Sequence, residues 1–474
     1  MLAILLFLPM VAALASLRAP SDAWRLPIVQ GVAVVEVVLV ALLFVQGPAT
    51  LFGRYLVVDA AALLVLATIW VLFLGIAFYL RAYLARAEKR PLQAFVFALL
   101  IFIDALSWAT VSQHLGVFWV ALEAATLASA PLIYFHQSAK ALEATWKYII
   151  VGSVGIALAL LGTIFLAVAA TDPATGETTL WLPDLLSGRA FSKPWLHASF
   201  VFLLVGYGTK MGLAPMHAWK PDAYGEAPPP VAALMAGGLT TCAFLGIVRA
   251  TAVLARAGEA AFASSLLVLL GLVSLGVAAA FVVGQSDLRR LLAYSSIENM
   301  GVLVLGLGFG TLGAEGAMLQ VVNNAMNKGI MFLVAGNLLQ TYGTTAIGSV
   351  RGALTRTPLT GVLLMAGAFA AMGLPPFGLF VSEVTVLRAV LAGGAVWTAS
   401  LYLGFLSIIF LGMAAAFLPM AQGEAPAGTV AIREPWSATL PSACFAVGAL
   451  VLGVYVPKPL LSLIHAVAQQ MGAH

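Results

Sequence analysis

Long apolar stretches separated by short polar connections make up almost the whole chain. A helix that crosses a membrane needs about 20 mostly apolar residues. By that measure about fourteen stretches qualify, near residues 2–17, 27–46, 56–80, 92–112, 115–136, 146–169, 198–223, 229–250, 263–284, 291–310, 316–340, 360–393, 396–419 and 437–457. Only helices and closed barrels satisfy backbone polar groups in lipid, and these stretches lack the polar–apolar alternation of barrel strands. The predicted fold class is therefore an all-α polytopic membrane protein.

Two of these segments are interrupted by glycine and proline. Segment 198–223 contains Gly212–Pro215, and segment 360–393 contains Gly373–Gly378. Broken hydrophobic segments at corresponding positions in the two halves of a chain indicate an ion path. Backbone exposed at such breaks has to be satisfied by protein or water. We therefore expect both breaks to border a hydrated route through the membrane.

The composition excludes a soluble globular domain. Of 474 residues, 62% are hydrophobic and 9% are charged, whereas soluble domains carry about 25% charged residues. A formal net charge of +4, without an Arg/Lys-rich stripe interleaved with aromatic residues, excludes a nucleic-acid-binding surface. Cys242 and Cys444 stand far apart, without a CxxC motif or a Cys/His cluster, so we predict neither a metal site nor a cofactor.

The basic residues in the connections predict the orientation of the chain. With the N-terminus outside, the inner connections hold fourteen basic residues, among them Lys220, and the outer ones hold six, among them Arg249. Positive charges favour the cytoplasmic side, and residues 81–90 contribute four of them. An even number of segments then places both termini on the periplasmic side of a bacterial inner membrane. The last residues, Pro459–His474, are predicted to form a short amphipathic helix at the interface.

Ionisable residues inside the segments are the candidate functional residues, because charges in hydrocarbon are costly and rarely persist without a role. Glu123 lies near the middle of the fifth segment, and Lys210 lies just before the first break. A Glu/Lys pair holds a charge whose proton affinity depends on the distance between the partners, as a proton switch requires. The alternatives are an ion pair that only joins two helices or, for Lys210, a side chain that reaches the membrane interface.

Five further ionisable residues belong to the same set of candidates. Lys328 lies in the eleventh segment, Glu383 follows the second break and His217 ends the first one. His217 suits a proton relay and a hydrogen bonder of the helix break equally well. Asp104 and Glu298 are embedded in apolar surroundings, where each could line a water path or bond locally near a helix end.

Motifs around these residues resemble a known family. Two stretches resemble the antiporter-like membrane subunits of respiratory Complex I: Gly206–Ala223, followed by Glu226–Pro228, and Arg289–Ile297, before Met300-Gly301. Two more are most similar to the F-type membrane subunit of energy-converting hydrogenases of the hydrogenase-4 and formate hydrogenlyase type: Trp119–Glu123, before Thr126–Ser129, and Pro375–Phe377, before Ser382-Glu383. The resemblance extends over about residues 50–420.

The resemblance implies a domain organisation. Three N-terminal helices would occupy residues 1–91, two inverted five-helix repeats 92–253 and 263–419, and a final helix with a short interfacial tail 420–474. Each repeat would contain one broken helix, which gives fourteen helices in all. A hydrated polar axis would run along the membrane midplane.

The resemblance also implies roles and partners. By motif match, Glu123 and Lys210 are the coupling pair, Lys328 is the central lysine and Glu383 is the terminal proton-exchange residue. Members of the family pump without a cofactor of their own. Their partners are other membrane subunits and, through them, a peripheral redox arm.

Three positions depart from the family pattern. Thr241 stands where many relatives have lysine or histidine, and Asn324, four residues before Lys328, stands where histidine is frequent. Asn299 replaces a histidine that commonly precedes Met-Gly. Threonine and asparagine hold water but do not titrate near neutral pH. A relay between Lys210 and Lys328 would then depend on water.

The expected function is a proton-translocating membrane subunit of a multisubunit energy-converting redox complex of the hydrogenase or NADH:quinone type, not catalytic by itself. Three alternatives stay open. They are a subunit of a multisubunit sodium/proton antiporter, the proton-path module of an inorganic-carbon uptake system, and a membrane scaffold that does not conduct. The sequence leaves the partner complex, the direction of pumping and the choice between proton and sodium undecided.

Overall fold

Helices form from nearly all of the apolar stretches. The computed structural model describes residues 1–86, 92–172, 175–425 and 430–471. The helices there are α1 (Leu2–Arg18), α2 (Asp22–Gln46), α3 (Ala60–Arg86), α4 (Gln93–Val111), α5 (Leu115–Ile133), α6 (Ala139–Ala169), α7 (Leu182–Leu185), α8 (Lys193–Met211), α9 (Trp219–Glu226), α10 (Pro229–Leu234), α11 (Thr240–Arg256), α12 (Ala260–Val282), α13 (Leu288–Leu307), α14 (Gly310–Tyr342), α15 (Ala353–Arg356), α16 (Pro358–Ala371), α17 (Gly378–Ala392), α18 (Val396–Gln422), α19 (Trp436–Val454) and α20 (Lys458–Gln469). A two-stranded antiparallel ribbon, β1 (Thr50–Leu51) and β2 (Leu56–Val57), lies between α2 and α3.

Each predicted segment is covered for most of its length by a helix or a pair of helices, and the segment predicted at 56–80 begins in β2 before it enters α3. Nine helices within the described ranges are long and apolar enough to cross a membrane: Asp22–Gln46, Ala60–Ala85, Gln93–Val111, Leu115–His136, Ala139–Ala169, Pro229–Arg256, Ala260–Val282, Val396–Gln422 and Trp436–Val454. The helices α1 and α16 are apolar but shorter. The chain is therefore a multi-pass membrane protein, and the total of fourteen spans stays a prediction.

Both predicted breaks are present, and they have the same build. The first lies between α8 and α9, where Gly212 has φ 74° and the Ala214–Pro215 peptide bond is cis. The second lies between α16 and α17, where Gly373 has φ 62° and the Pro375–Pro376 bond is cis. Glycine adopts this left-handed conformation without steric cost because it has no Cβ. The inverted relation of the two repeats and the proposed domain boundaries stay predictions.

Small residues bring α8 close to α6. A Cβ atom at Gly206 of α8 would lie 2.5 Å from the backbone nitrogen of Ala159, and one at Gly155 of α6 would lie 2.6 Å from Cβ of Thr209. In lipid, helices associate through such small residues because their backbones can then approach closely. This packing holds the end of α8, which carries Lys210, against the interior of the first half.

The longest helix, α14, connects the two halves of the molecule. It packs against α3 and α10, against α13, α16 and α17, and against α19 and α20. Its residues from Gly316 to Leu338 are buried throughout, including Asn323, Asn324 and Lys328. Polar side chains on this helix therefore face protein rather than lipid.

Three basic residues that the topology count placed in connections are buried in helices, and the first is Arg25 of α2, which is 9% exposed. Lys220 is in α9 and 0% exposed, and Arg249 is in α11 and 3% exposed. Without these three residues the inner and outer counts become twelve and five, so the predicted orientation is unchanged. The connection with Lys89 and Arg90 and the last three residues lie outside the described residues. The predicted C-terminal helix is present as α20 and packs against α3 and α14 through Ile464, Val467 and Ala468.

Candidate functional site

The predicted Glu123–Lys210 pair is in direct contact. Lys210 Nζ lies 3.2 Å from Glu123 Oε2, and their side chains are 1% and 19% exposed. Lys210 also donates to the Thr126 hydroxyl, one turn further along α5. The other carboxylate oxygen, Glu123 Oε1, accepts a hydrogen bond of 3.2 Å from Ser153 of α6. The Lys210 side chain passes over α6 at Gly152, where an added Cβ would lie 3.1 Å from its Nζ.

A row of buried hydroxyl and aromatic side chains continues from this pair. Ser129 Oγ lies 2.9 Å from the Thr126 carbonyl, to which it donates, and 2.7 Å from the Tyr148 hydroxyl. The Tyr148 ring lies 5.1 Å from that of Trp219, which lies 6.0 Å from that of Tyr224. Only the contact of Ser129 with Tyr148 joins two hydroxyl groups; the others involve a backbone carbonyl or aromatic rings, so the row is polar without being a continuous chain of hydrogen bonds.

Sequence reasoning missed this row, although one signal was available. Glu123, Thr126 and Ser129 are three residues apart and therefore share one face of α5. Tyr148 and Tyr224 gave no comparable signal, because a tyrosine in an apolar helix is most often a packing residue.

A second polar cluster surrounds Lys328 at the interface of α13 and α14. Lys328 Nζ donates to Ser295 Oγ over 2.7 Å, and Lys328 and Glu298 are close enough to interact electrostatically. Ser295 and Glu298 lie three residues apart on the face of α13 that meets α14. Glu298 in turn interacts electrostatically with Glu383 of α17. The structure thus brings Lys328, Glu298 and Glu383 together.

Glu383 lies at the edge of this cluster. Its side chain packs directly on Gly373 of the second break, where a Cβ atom would collide with the carboxylate. Next to it is a cavity of about 400 Å³, open to the surface of the helix bundle, that Glu383 lines together with Tyr402 and apolar side chains of α17 and α18. Glu383 therefore lies within electrostatic range of Glu298 in the buried cluster and borders a cavity that opens at the side of the helix bundle.

Asn299 belongs to the Lys328 cluster through an amide network. Its Nδ2 donates to the Ser295 carbonyl over 2.7 Å, and its Oδ1 accepts from Gln320 over 2.8 Å. Gln320 also accepts a hydrogen bond from Ser382, the neighbour of Glu383. Gln320 and Ser382 were not among the predicted residues, since neutral polar side chains in helices are too common to mark a site.

Thr241 and Asn324 lie at a π-helical turn, Met235–Leu239, between α10 and α11. Thr241 donates to the Gly237 carbonyl of its own turn over 2.7 Å, and Asn324 donates to the Ala236 carbonyl over 3.4 Å. Each side chain is thus bonded to this turn, and both are buried. These hydrogen bonds do not test the predicted contact of Thr241 and Asn324 with water, which stays a prediction.

His217 and Lys220 lie at the first break. His217 is half-buried and interacts electrostatically with Lys220. Lys220 is the functional candidate that sequence reasoning missed, because Trp219-Lys220-Pro221-Asp222 has the composition of a polar connection. Only the packing of α9 against α6 and α13 decides that this segment is inside the molecule.

Asp104 lies apart from both clusters, next to a carboxylate that the sequence analysis did not name. Its partner is Glu36 of α2, which is 0% exposed and interacts electrostatically with Asp104 of α4. Within the described residues, neither oxygen of Glu36 makes a hydrogen bond. Glu36 had the same signal as Asp104, a single carboxylate in an apolar run, so it could have been found.

Two ion pairs join α9 to α6 and to α13 at the predicted inner side of the membrane. Asp222 of α9 accepts from Lys147 of α6 over 2.9 Å and from Arg290 of α13 over 2.8 Å. They border a cleft of about 390 Å³ lined by charged side chains. In the part of the chain that the structure describes, no three His, Cys, Asp or Glu side chains are arranged to hold a metal ion.

Comparisons with known proteins identify the family. Residues 112–410 match the family described as "NADH:quinone oxidoreductase/Mrp antiporter, TM". The chain is 34% identical over 359 residues to a hydrogenase-4 component F homolog of Methylacidiphilum infernorum, which covers 74% of both chains. It is 30% identical over 443 residues to NADH-quinone oxidoreductase subunit N of Desulforudis audaxviator, covering 89% of this chain and 86% of the relative.

A solved structure shares the fold. It is a chain of the membrane-bound sulfane sulfur reductase, an archaeal respiratory membrane complex, with a TM-score of 0.90 at 22% identity, covering 99% of this chain and 98% of the other. The resemblance noted in the sequence motifs is thereby confirmed. The chain belongs to the NADH:quinone oxidoreductase/Mrp antiporter membrane family and is an antiporter-like membrane protein of the Complex I and hydrogenase type.

Proposed function

We propose that this chain moves protons across a bacterial inner membrane as one membrane subunit of a multisubunit energy-converting redox complex. The observation that carries the proposal is the contact of partly buried Glu123 with buried Lys210, together with a second, buried group of charged residues, Lys328, Glu298 and Glu383. Charged groups inside a membrane protein are costly and are commonly kept for ion or proton transfer. The names of the relatives, a hydrogenase component and a quinone oxidoreductase subunit, support a redox complex as the partner.

The Glu123–Lys210 pair would act as the switch. At about 4 Å and an effective dielectric constant of about 20, two opposite charges attract by about 4 kcal/mol, which is about a thousandfold in proton affinity. Lys210 therefore holds its proton while the Glu123 carboxylate is charged and near. If Glu123 moves or is protonated, Lys210 releases its proton, and water between the polar side chains would carry it toward the second cluster.

The Lys328 cluster would receive that proton and pass it on. Lys328 and Glu298 form the receiving pair, and Glu383 exchanges the proton with the surroundings through the cavity beside it. We further propose that the two breaks belong to two inverted repeats, residues 92–253 and 263–419. The driving reaction would come from partner subunits that change the distance between Glu123 and Lys210.

The sodium/proton antiporter alternative is favoured by the family itself, which includes Mrp antiporters. Uptake of radioactive sodium into vesicles separates the two. Proton uptake that is independent of sodium supports the redox-coupled function, whereas sodium efflux that requires a proton gradient supports the antiporter.

The test removes each titrating group without changing its size. Glu123→Gln and Lys210→Met are compared with Lys193→Met, which removes a lysine that is 73% exposed. Proton uptake into vesicles that contain the native complex is measured and normalised to assembled protein. We expect both site variants to assemble and to lose uptake by about a hundredfold, as for loss of a general acid or base.

The control Lys193→Met should transport like the unchanged protein. If Glu123→Gln or Lys210→Met assembles and transports at the unchanged rate, the pair is a structural tie between α5 and α8. The proton path would then have to run elsewhere, with Asp104 and Glu298 as the next residues to replace.

A further inference from the structure

Lys220 is a buried ammonium group that the mechanism described so far does not use. It is the second residue of α9 and is 0% exposed. Its Nζ donates to the Met211 carbonyl over 2.7 Å. Among the described residues no carboxylate forms an ion pair with it, although buried charges are normally paired. A lysine held in this way needs an explanation beyond packing.

The position of Lys220 lies between the two polar clusters. Met211, whose carbonyl it contacts, directly follows Lys210 on α8. On the other side Lys220 interacts electrostatically with Lys328 of α14. Its side chain runs along the first break, since a Cβ at Gly212 would lie 2.6 Å from its Cδ and 3.2 Å from its Nζ. The Lys220 side chain thus lies between the end of α8, which carries Lys210, and Lys328 of α14.

Hydroxyl groups next to Lys220 continue toward Lys328. Its Nζ lies 5.7 Å from the centre of the Tyr224 ring. The Tyr224 hydroxyl lies near Ser296 of α13, although neither hydroxyl makes a hydrogen bond among the described residues. Ser296 is the neighbour of Ser295, which binds Lys328. The titratable groups that face Lys220 are therefore Tyr224 of its own helix, His217 of the break and Lys328 of α14.

We propose that Lys220 carries protons between Lys210 and Lys328, in the interval where Thr241 and Asn324 cannot titrate. This inference rests on the proposed function. The hydrogen bond from Lys220 to the Met211 carbonyl can form in both protonation states of the lysine, because a neutral amine still has N–H groups that donate. Lys220 can therefore lose its proton without losing its hydrogen bond.

Each transfer is a simple exchange of protons. One N–H bond of the donor ammonium breaks, its electron pair stays on nitrogen, and one N–H bond forms on the acceptor amine. A hydroxyl or water between them accepts one proton and releases another. Two ammonium groups close together in a buried region disfavour each other's charge, so protonation of Lys220 promotes release from Lys328 and the reverse.

The experiment separates proton transfer from support of the break. Lys220→Gln keeps a donor for the Met211 carbonyl but cannot titrate, and Lys220→Arg keeps donor and charge but cannot release its proton. Both are made in the native complex, with Lys193→Met as the exposed control. We expect both to assemble normally and to lose proton uptake by about tenfold or more.

A third variant tests whether Lys220 has to titrate, because a purely structural role of Lys220 would not change the pH profile of proton uptake. Lys220→His restores a titrating group with an ordinary pKa of about 6.5 in place of about 10.4. We expect uptake to recover partly and its pH profile to move to lower pH. If Lys220→Gln assembles and transports at the unchanged rate while Lys210→Met does not, Lys220 only supports the break. If Lys210→Met also transports normally, the proposed function itself fails.

Discussion

At the scale of single residues, we expect the contact of Glu123 with Lys210 to contribute little to the stability of the fold. A buried ion pair is often no more stabilising than apolar side chains of the same volume, but loss of one partner leaves a buried charge alone. Stabilisation of the fold therefore gives little reason for a Glu–Lys contact at this place, which agrees with the proposed role in proton transfer. This difference can be measured.

We expect Glu123→Gln and Lys210→Met each to lower the thermal stability of the purified protein, by about 3 kcal/mol in free energy of unfolding. The double variant should recover most of that loss, because neither charge remains. Thermal denaturation of all four proteins in the same detergent gives the interaction energy of the pair. A double variant that is as unstable as the sum of both single ones would mean that the two residues do not interact.

Charged residues of the site could be predicted from the sequence, and neutral ones could not. A lysine or glutamate in an apolar run is a strong signal, which is why Glu123, Lys210, Lys328 and Glu383 were recognised. Ser129 and Tyr148 have no such signal, because serine and tyrosine are frequent in membrane helices. Lys220 was predicted to lie in a connection. Its burial depends on the packing of α9 against α6 and α13, and the amino-acid pattern of α9 does not indicate that packing.

At the scale of elements, the break between α16 and α17 depends on a glycine. Gly373 has a positive φ, and an added Cβ would meet the Glu383 carboxylate. The same turn therefore shapes the helix and positions a candidate proton-exchange residue. A substitution there should affect both.

We expect Gly373→Ala to destabilise the protein by about 1–3 kcal/mol, because alanine is strained at this φ, and to reduce proton uptake by displacing Glu383. The matched control is Gly404→Ala in α18, where nothing lies within 4 Å of an added Cβ. That change should be neutral or stabilise by about 0.5–1 kcal/mol. Equal effects of the two variants, measured by thermal denaturation and uptake, would show that the Gly373 turn has no special requirement.

At the predicted outer surface, Glu259 joins the start of α12 to the start of α8. Hydrogen bonds from Lys193 and His197 hold the pKa of Glu259 below its ordinary value. A carboxyl whose pKa is lower in the folded protein stabilises it above the unfolded pKa, and this contribution is lost as pH falls through the folded pKa. We therefore expect Glu259→Gln to be slightly less stable at neutral pH and no different in strong acid. Melting temperatures from pH 3 to pH 7 measure this, and a constant difference would contradict it.

The helices themselves could be predicted well, because each long apolar run has only one way to satisfy its backbone in lipid. Their finer features could not. The π-helical turn at Met235–Leu239 and the helix α9 depend on contacts with α14 and α13, which are distant in sequence. The positions of both breaks could be predicted, since glycine and proline mark them directly.

At the scale of the whole molecule, the orientation in the membrane can be tested on exposed residues of the described chain. The positive-inside pattern predicts Arg433 inside and Lys458 outside. We expect Lys458→Cys, in a variant without Cys242 and Cys444, to react in intact cells with a maleimide that cannot cross membranes. Arg433→Cys should react only after the cells are opened. The reverse result would invert the predicted topology.

The family could be predicted from motifs and the fold class from the long apolar stretches, because both signals lie within one chain. The partner complex could not be predicted, since the outward surfaces that would bind partners carry no recognisable motif. Trp397 and Val454, for example, are 85% and 74% exposed, which suits lipid and a neighbouring helix equally well.

The opening beside Glu383 leaves this carboxyl uncovered by the chain itself. The other residues around the opening are mostly apolar, so in a membrane the opening faces lipid or a neighbouring subunit. A charged group that faces lipid is costly. A neighbouring subunit over the opening would therefore shield Glu383 from lipid, whereas an unassembled copy would hold this carboxyl at a lipid-facing opening.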